Sequence, residues 1–194
     1  MFVIAGKFQR RKLLSPKGST TRPTASRLRE TVFNMIQTEI VDANFLDLFA
    51  GSGAMGIEAL SRGAKHATFI ENNSQALNSL QTNLETLDIL EQATILAGDF
   101  QQMLKKIERT HQQFDIIFAD APYQMTRNST RISDLLIQWV DEKDLLRLDG
   151  YFLLEDNQSK TVQHPFQTLA LDNTRRSGSA YLHLFKKEKR YADR

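Results

Sequence analysis

The sequence contains no cysteine. That excludes disulfides, Cys-type zinc sites, iron–sulfur ligation and thiol nucleophiles. Histidine is scarce as well: His66, His111, His164 and His183 are the full set, and no two stand at the spacing of a helical metal-binding pair. No metal centre is expected. No apolar run approaches the roughly 18 residues needed to span a bilayer, so no membrane span is expected either. The apolar stretch Phe2–Ala5 is too short for a secretory signal and precedes the charges rather than following them. What is present is ordinary globular material. The chain has 194 residues, of which 41% are hydrophobic and 25% charged, enough to build one domain with a small extension and too apolar for global disorder.

Charge is distributed unevenly. The formal net charge is only +2, but residues 1–30 carry eight Lys/Arg against one acid. Residues 31–172 carry ten bases against twenty acids, and residues 173–194 carry seven bases against two acids. Basic ends therefore flank an acidic middle. A basic arm suits a polyanionic partner, most often nucleic acid; a solvated tail is the alternative. The acid-free stretch Met1–Arg29 superficially resembles a transit peptide, but is read here as part of the working protein.

Short apolar runs then alternate with helical periodicity. Phe2–Lys7 and Arg10–Leu14 suit a small hairpin, and Ser15–Pro23 reads as a loop. Leu28, Val32, Met35, Ile36 and Ile40 recur at helical spacing after Thr24. Arg22, Arg27 and Arg29 crowd the start of that helix, where positive charge opposes the helix dipole, so they favour a ligand role. Strands are expected at Phe45–Phe49, Ala67–Ile70, Thr94–Ala97, Phe114–Ala119 and Tyr151–Leu154, with Asp149–Gly150 as a turn. Helices are expected at Ala54–Arg62, Ser74–Leu87, Phe100–Ile107 and Thr130–Val140. This alternation implies βαβ units and a parallel sheet. Gln167–Leu171 and Ala180–Phe185 flank a loop at Arg175–Ser179 too short for a helix, so they form an antiparallel pair.

In an open parallel sheet, ligands bind at the carboxyl ends of the strands. The first strand ends Asp47-Leu48-Phe49-Ala50-Gly51-Ser52-Gly53. Gly51 and Gly53 allow a tight turn and a close approach to a ligand, and Gly56 extends the pattern to G-x-G-x-x-G. Glu71, at the end of the second strand, can accept hydrogen bonds from both hydroxyls of a ribose. Asp99, at the end of the third, can accept from an adenine amino group or cap the helix that starts at Phe100. Asp120-Ala121-Pro122-Tyr123 ends the fourth strand. Asp120 can accept from an exocyclic amine, Pro122 fixes the turn, and Tyr123 offers a face for an extruded base.

The chain resembles the RsmD family of bacterial 16S rRNA guanine-N2 methyltransferases. The resemblance runs over nearly the whole chain through Val3-Ile4-Ala5-Gly6, Arg22-Pro23-Thr24, Arg29-Glu30-Thr31-Val32-Phe33-Asn34, Asp47 to Gly53, Glu58 to Ala64, and Asp120 to Tyr123. It implies a Rossmann-like class I methyltransferase fold. Such a fold has a seven-stranded, mostly parallel sheet with an antiparallel C-terminal pair, here preceded by a small basic extension. The expected division is an RNA-binding hairpin and helix at 1–41, a methyltransferase domain at 42–188 and a basic tail at 189–194. The implied cofactor is S-adenosylmethionine (SAM), held by Asp47, Phe49, Gly51, Gly53, Glu71, Asp99 and Phe100. Asp120, Pro122 and Tyr123 would carry the transfer to a guanine 2-amino group. Arg10, Arg11, Lys12, Arg22, Arg27 and Arg29 would hold RNA phosphates. The expected partner is 16S rRNA in a small subunit or its assembly intermediate, the expected compartment the cytoplasm and the expected state a monomer. One departure is Ala121, where the family's tetrapeptide usually has Pro; it restores an N–H and loosens φ. A nicotinamide oxidoreductase would share the glycine turn and Glu71 but gives no reason for Asp99 or the Asp120 turn. An adenine-N6 DNA methyltransferase would share the tetrapeptide, and a non-catalytic RNA-binding module would need only the basic ends.

Overall fold

A computed structural model describes residues 1–16, 23–122, 130–159 and 166–189. The chain opens with a tight hairpin in which Phe2 bridges Lys12 and Leu13 N–H donates to the Met1 carbonyl. Then come helix α1 (Pro23–Met35), strand β1 (Asn44–Leu48), α2 (Ala54–Ser61), β2 (His66–Glu71) and α3 (Ser74–Leu87). After a short 3-10 turn follow β3 (Ala93–Ala97), α4 (Phe100–Arg109), β4 (Phe114–Asp120), α5 (Ile132–Glu142), β5 (Leu146–Asp156), β6 (Leu169–Ser177) and β7 (Ala180–Lys187). The seven strands form one sheet in the order β3-β2-β1-β4-β5-β7-β6. β1 to β5 are parallel, and β7 is antiparallel to both β5 and β6. Strand order reverses between β1 and β4, which is where such sheets bind ligands.

Each parallel strand is apolar on both sides, as a sheet covered on both faces requires. Phe45, Phe69, Ile116, Phe118 and Leu153 enter one buried cluster, beneath α1, α2, α3 and the hairpin. Their neighbours Leu46, Ile70, Ile117, Ala119 and Leu154 enter the other, beneath α4 and α5. The N-terminal hairpin and α1 are built into the first cluster through Val3, Phe8, Leu13, Leu28, Val32 and Phe33.

Three sequence expectations change. Asp149 and Gly150 do not make a turn before β5; they lie within it. The ladder passes from Phe114–Leu146 to Ile116–Tyr151, so β5 bulges there, with Asp149 at φ 62°. The C-terminal loop is shorter than expected because β6 continues through Arg175 and Arg176. Only Gly178 and Ser179 join β6 to β7, and Gly178 at φ 64° supplies the left-handed residue a two-residue hairpin needs. Helix α1 is also shorter than its apolar spacing suggests, ending at Met35 with Ile36 and Ile40 buried in the turns beyond.

Candidate functional site

The glycine turn is fastened from below by carboxylates. Asp47, 1% exposed, accepts from the Gly56 N–H at 2.9 Å. Glu71 Oε2 accepts from the Gly51 N–H at 2.7 Å, while its Oε1 accepts from the N–H groups of Asn72 and Asn73. Gly53 caps α2 in the left-handed region at φ 82°. A side chain at Gly56 would lie 2.2 Å from the buried Phe69 ring, whereas one at Gly51 would meet no atom within 4 Å. The turn is thus packed tightly on its inner side and open at Gly51.

Strand alternation sorts the acids. Counting from the clustered residues, Asp47, Glu71, Asp120 and Glu155 all fall on the face covered by α2 and α3, at the carboxyl ends of four strands. Burial pushes the Asp47 carboxyl up to about 7; the Gly56 N–H draws it back, and the charges of Asp120 and Glu71 raise it further. Asp120 stands at the rim. Partial withdrawal from water raises its pKa, and a hydrogen bond with Glu155 lowers it.

Asp99 caps α4, its Oδ1 accepting from Gln101 and Gln102 N–H. Both of these bonds use one oxygen. Phe49 is half-buried at φ 62°, an unusual conformation for a bulky residue. Its ring packs on that of Phe100, with centroids 5.1 Å apart, so the ends of β1 and β3 share an aromatic wall. Pro122 is exposed beside Asp120, and Ala121 is buried in the second apolar cluster. Tyr123 and Arg22 lie outside the described residues.

The basic residues divide. Arg10, Arg11, Lys12 and Arg27 are exposed, and Arg11 also donates to the Thr86 carbonyl at 3.3 Å. Arg29 is not available to phosphate. It is 2% exposed, pairs with the fully buried Glu58 at 3.5 Å and donates to the Phe2 carbonyl at 2.7 Å. Burial lowers its pKa, opposed by the Glu58 charge. Glu58 also accepts from the N–H groups of Ile4 and Ala5 and from Arg62. Arg29 therefore locks the hairpin onto α2, which is a structural task.

Two further residues belong to the site. Glu155 lies one position beyond the apolar run from which β5 was expected. Asn83, buried on α3, accepts from Leu14 N–H at 2.7 Å and donates to the carbonyls of Leu14 and Ser52, each at 3.0 Å. It ties the end of the basic hairpin to the glycine turn. Its place three residues after Leu80 and four before Leu87 puts it on the apolar stripe of α3, the one sign in the sequence that it faces the core. Among the described residues no group of three or more His, Asp or Glu could hold a metal ion, and no helix is long and apolar enough to cross a membrane.

Residues 1–186 match the family described as Conserved hypothetical protein 95. The Ribosomal RNA small subunit methyltransferase D of Haemophilus influenzae is 34% identical over 164 residues, covering 84% of this chain and 82% of that protein. The chain belongs to the RsmD family. The structure of the Escherichia coli protein yhhF superposes with a TM-score of 0.79 at 30% identity, covering 97% of this chain and 98% of that one. The fold recurs in the 16S rRNA N2 G1207 methyltransferase of Thermus thermophilus, with a TM-score of 0.67 at 21% identity over 89% of this chain and 45% of that one. The Rossmann-like class I methyltransferase fold expected from the sequence is the fold observed.

Proposed function

We propose that this protein transfers the methyl group of SAM to the exocyclic 2-amino group of a guanine in 16S rRNA. The observation that carries this reading is the placement of Asp120-Ala121-Pro122 at the end of β4, beside the glycine turn at the end of β1. Family membership and the small-subunit rRNA methyltransferase named above support the substrate class.

The carboxylates favour SAM over a dinucleotide. In a dinucleotide site the amides of the glycine turn and helix N-terminus greet a pyrophosphate. Here the Gly51 and Gly56 amides are already satisfied by Glu71 and Asp47. The acidic face suits a ligand that carries positive charge, and the open side of Gly51 gives that ligand access to the turn. Glu71 would hold the ribose hydroxyls with its remaining lone pairs, Asp99 the adenine amino group through its second oxygen, and Phe49 and Phe100 the apolar wall between them. Asp47 would face the methionine end.

SAM supplies an electrophilic methyl carbon on a sulfonium. The guanine amino group is a poor nucleophile because its lone pair is delocalised into the ring. Asp120 and a backbone carbonyl near Ala121–Pro122 would accept its two hydrogens and aim the lone pair. Positioning of this kind supplies most of the available acceleration. Tyr123 would stack on the extruded base, and Arg10, Arg11, Lys12, Arg22 and Arg27 would hold phosphates without reading sequence. The substrate is the small subunit or its assembly intermediate in the cytoplasm, and one copy of the chain carries every group named.

The test uses methyl-labelled SAM with small subunits from cells lacking this protein, followed by nucleoside identification. Label in N2-methylguanosine at one site is the expected result, and Asp120→Ala should abolish it while SAM still binds. No label in the rRNA although SAM binds, with label in N6-methyladenine when DNA is supplied in place of the subunits, would overturn the reading.

A further inference from the structure

The basic C-terminal end of the sequence divides in the fold. Lys186 and Lys187 are paired, with Asp149 and Asp144. Arg175 and Arg176 are exposed and make no ion pair among the described residues. Their strand, β6, is an edge of the sheet. Register shows where they point. Asp120 pairs with Glu155 across β4 and β5, Glu155 with Leu182 across β5 and β7, and Leu182 with Arg175 across β7 and β6. Paired residues share a face, so Arg175 lies in the row of Asp120 and on the same face. Three strand spacings separate the two, ~14 Å. Arg176 falls in the neighbouring row with Tyr181 and Asp156, on the opposite face, and its Nε donates to the Gly178 carbonyl within its own turn. Helix α1 packs over the same edge. Its Phe33 stacks on Phe45 of β1, four spacings or ~19 Å from β6, so the part of α1 that reaches β6 is its start, which bears the exposed Arg27.

We infer that Arg175 is a phosphate contact for the substrate RNA, and that with Arg27 it holds the strand on the β6 side of Asp120. The inference rests on the methyltransferase reading above. A base reaches Asp120 only by leaving the stack of its neighbours, so the backbone that carries it must cross the rim. On the β1 and β2 side that rim is acidic, with Asp47 and Glu71, and repels phosphate. On the β6 side the cation in the row of Asp120 is Arg175. A guanidinium there offers paired donors to a phosphate without reading sequence. The N-terminal hairpin grips elsewhere. Arg11 reaches the Thr86 carbonyl in the last turn of α3, and α3 starts at the carboxyl end of β2 and runs back, away from the rim. A charged edge strand also discourages pairing with a second chain. That role asks for charge on either face, whereas the phosphate contact asks for it on the face of Asp120.

The test compares wild type with Arg175→Ala, Arg175→Lys and Arg176→Ala. Both positions are exposed, so the variants should fold as wild type does. Filter binding to 16S rRNA over a salt series, without SAM, should show Arg175→Ala weakened by roughly 3- to 10-fold at low salt. The slope of its log affinity against log salt should fall by about one. Arg175→Lys keeps the charge and should restore the slope, and Arg176→Ala should bind as wild type does. With small subunits and labelled SAM, Arg175→Ala should raise the subunit concentration that gives half the maximal rate, with SAM affinity unchanged. A wild-type slope in Arg175→Ala overturns the inference. An equal fall in Arg176→Ala also overturns it, since a diffuse charge effect ignores the face. Self-association of Arg175→Ala with its RNA slope intact assigns the residue to edge protection and overturns it too. A reduced slope with no methylation of rRNA upholds the contact and refutes the proposed reaction; methylation with a wild-type slope in Arg175→Ala refutes the contact alone.

Discussion

Lowering the pH from 7.0 to 5.5 should weaken SAM binding by about 16-fold, ~1.6 kcal/mol. The perturbed group is Asp47, buried under the glycine turn with its pKa raised to about 7. In the free protein it is half protonated at that pH and almost fully protonated at 5.5. A bound cation favours the carboxylate and pulls its pKa down, so binding below 7 must first release a proton. The sign follows: affinity is highest where Asp47 is already ionised and falls as pH drops through about 7. The factor is the ratio of the total to the ionised population at the two pH values, about 33 against about 2. Isothermal titration calorimetry in two buffers of different ionisation enthalpy would measure both the affinity and the proton released. Asp47→Asn keeps an acceptor for Gly56 N–H but cannot ionise, so its affinity should be lower at pH 7.0 and flat down to 5.5. A wild-type affinity that is flat across this range, with no proton release, would refute the reasoning.

The remaining expectations concern packing and the basic arm. Gly56→Ala places a methyl 2.2 Å from the buried Phe69 ring, so it should cost about 1–3 kcal/mol, read as a lowered Tm by circular dichroism; an unchanged Tm would show that the ring can move. Arg29→Ala leaves Glu58 buried with only Arg62 as a cation among the described residues, and should cost about 3 kcal/mol of stability without altering the salt dependence of RNA binding. By contrast, Arg10→Ala, Arg11→Ala and Lys12→Ala should each lower the slope of log affinity against log salt by about one and change stability by no more than ~0.5 kcal/mol. A filter-binding series at several salt concentrations separates the two groups, and an Arg29→Ala slope matching that of Arg11→Ala would restore Arg29 to the RNA surface.

Much of the parallel half was legible because its signals are local. α3 spans Ser74–Leu87 as expected, since Asn73 caps it through Gln75 and Ala76 N–H and its apolar residues keep one helical stripe. The strand ends carried Asp47, Glu71, Asp99 and Asp120 to one rim because a parallel sheet leaves them nowhere else to go. What was missed depends on partners distant in sequence. Arg29 stands close to the exposed Arg27, yet Val32 and Phe33, three and four residues on, share its side of α1 and are fully buried. That spacing hinted at burial, but Glu58, the group that makes burial tolerable, lies on another helix. Glu155 escaped because an apolar run says where a strand is covered, not where it ends. The bulge at Asp149 escaped because a Gly after an Asp reads the same in a turn and inside a strand.

The amide of Asn83 closes a circuit. Leu14 and Ser52 are the two ends of one stretch of chain that contains α1 and β1, and both ends are fastened to that single side chain. A covalent crosslink would lower the entropy of the open chain; this clasp instead adds its hold only when both ends are in place. Substituting Asn83 therefore unfastens a whole loop rather than a contact. The end of the hairpin at Leu14 would then be free to fray from the turn above Asp47, while Arg29 and Glu58 still hold the hairpin's start. Hydrogen exchange at the Leu14 amide, in the presence and absence of the cofactor, reads directly whether the clasp is shut.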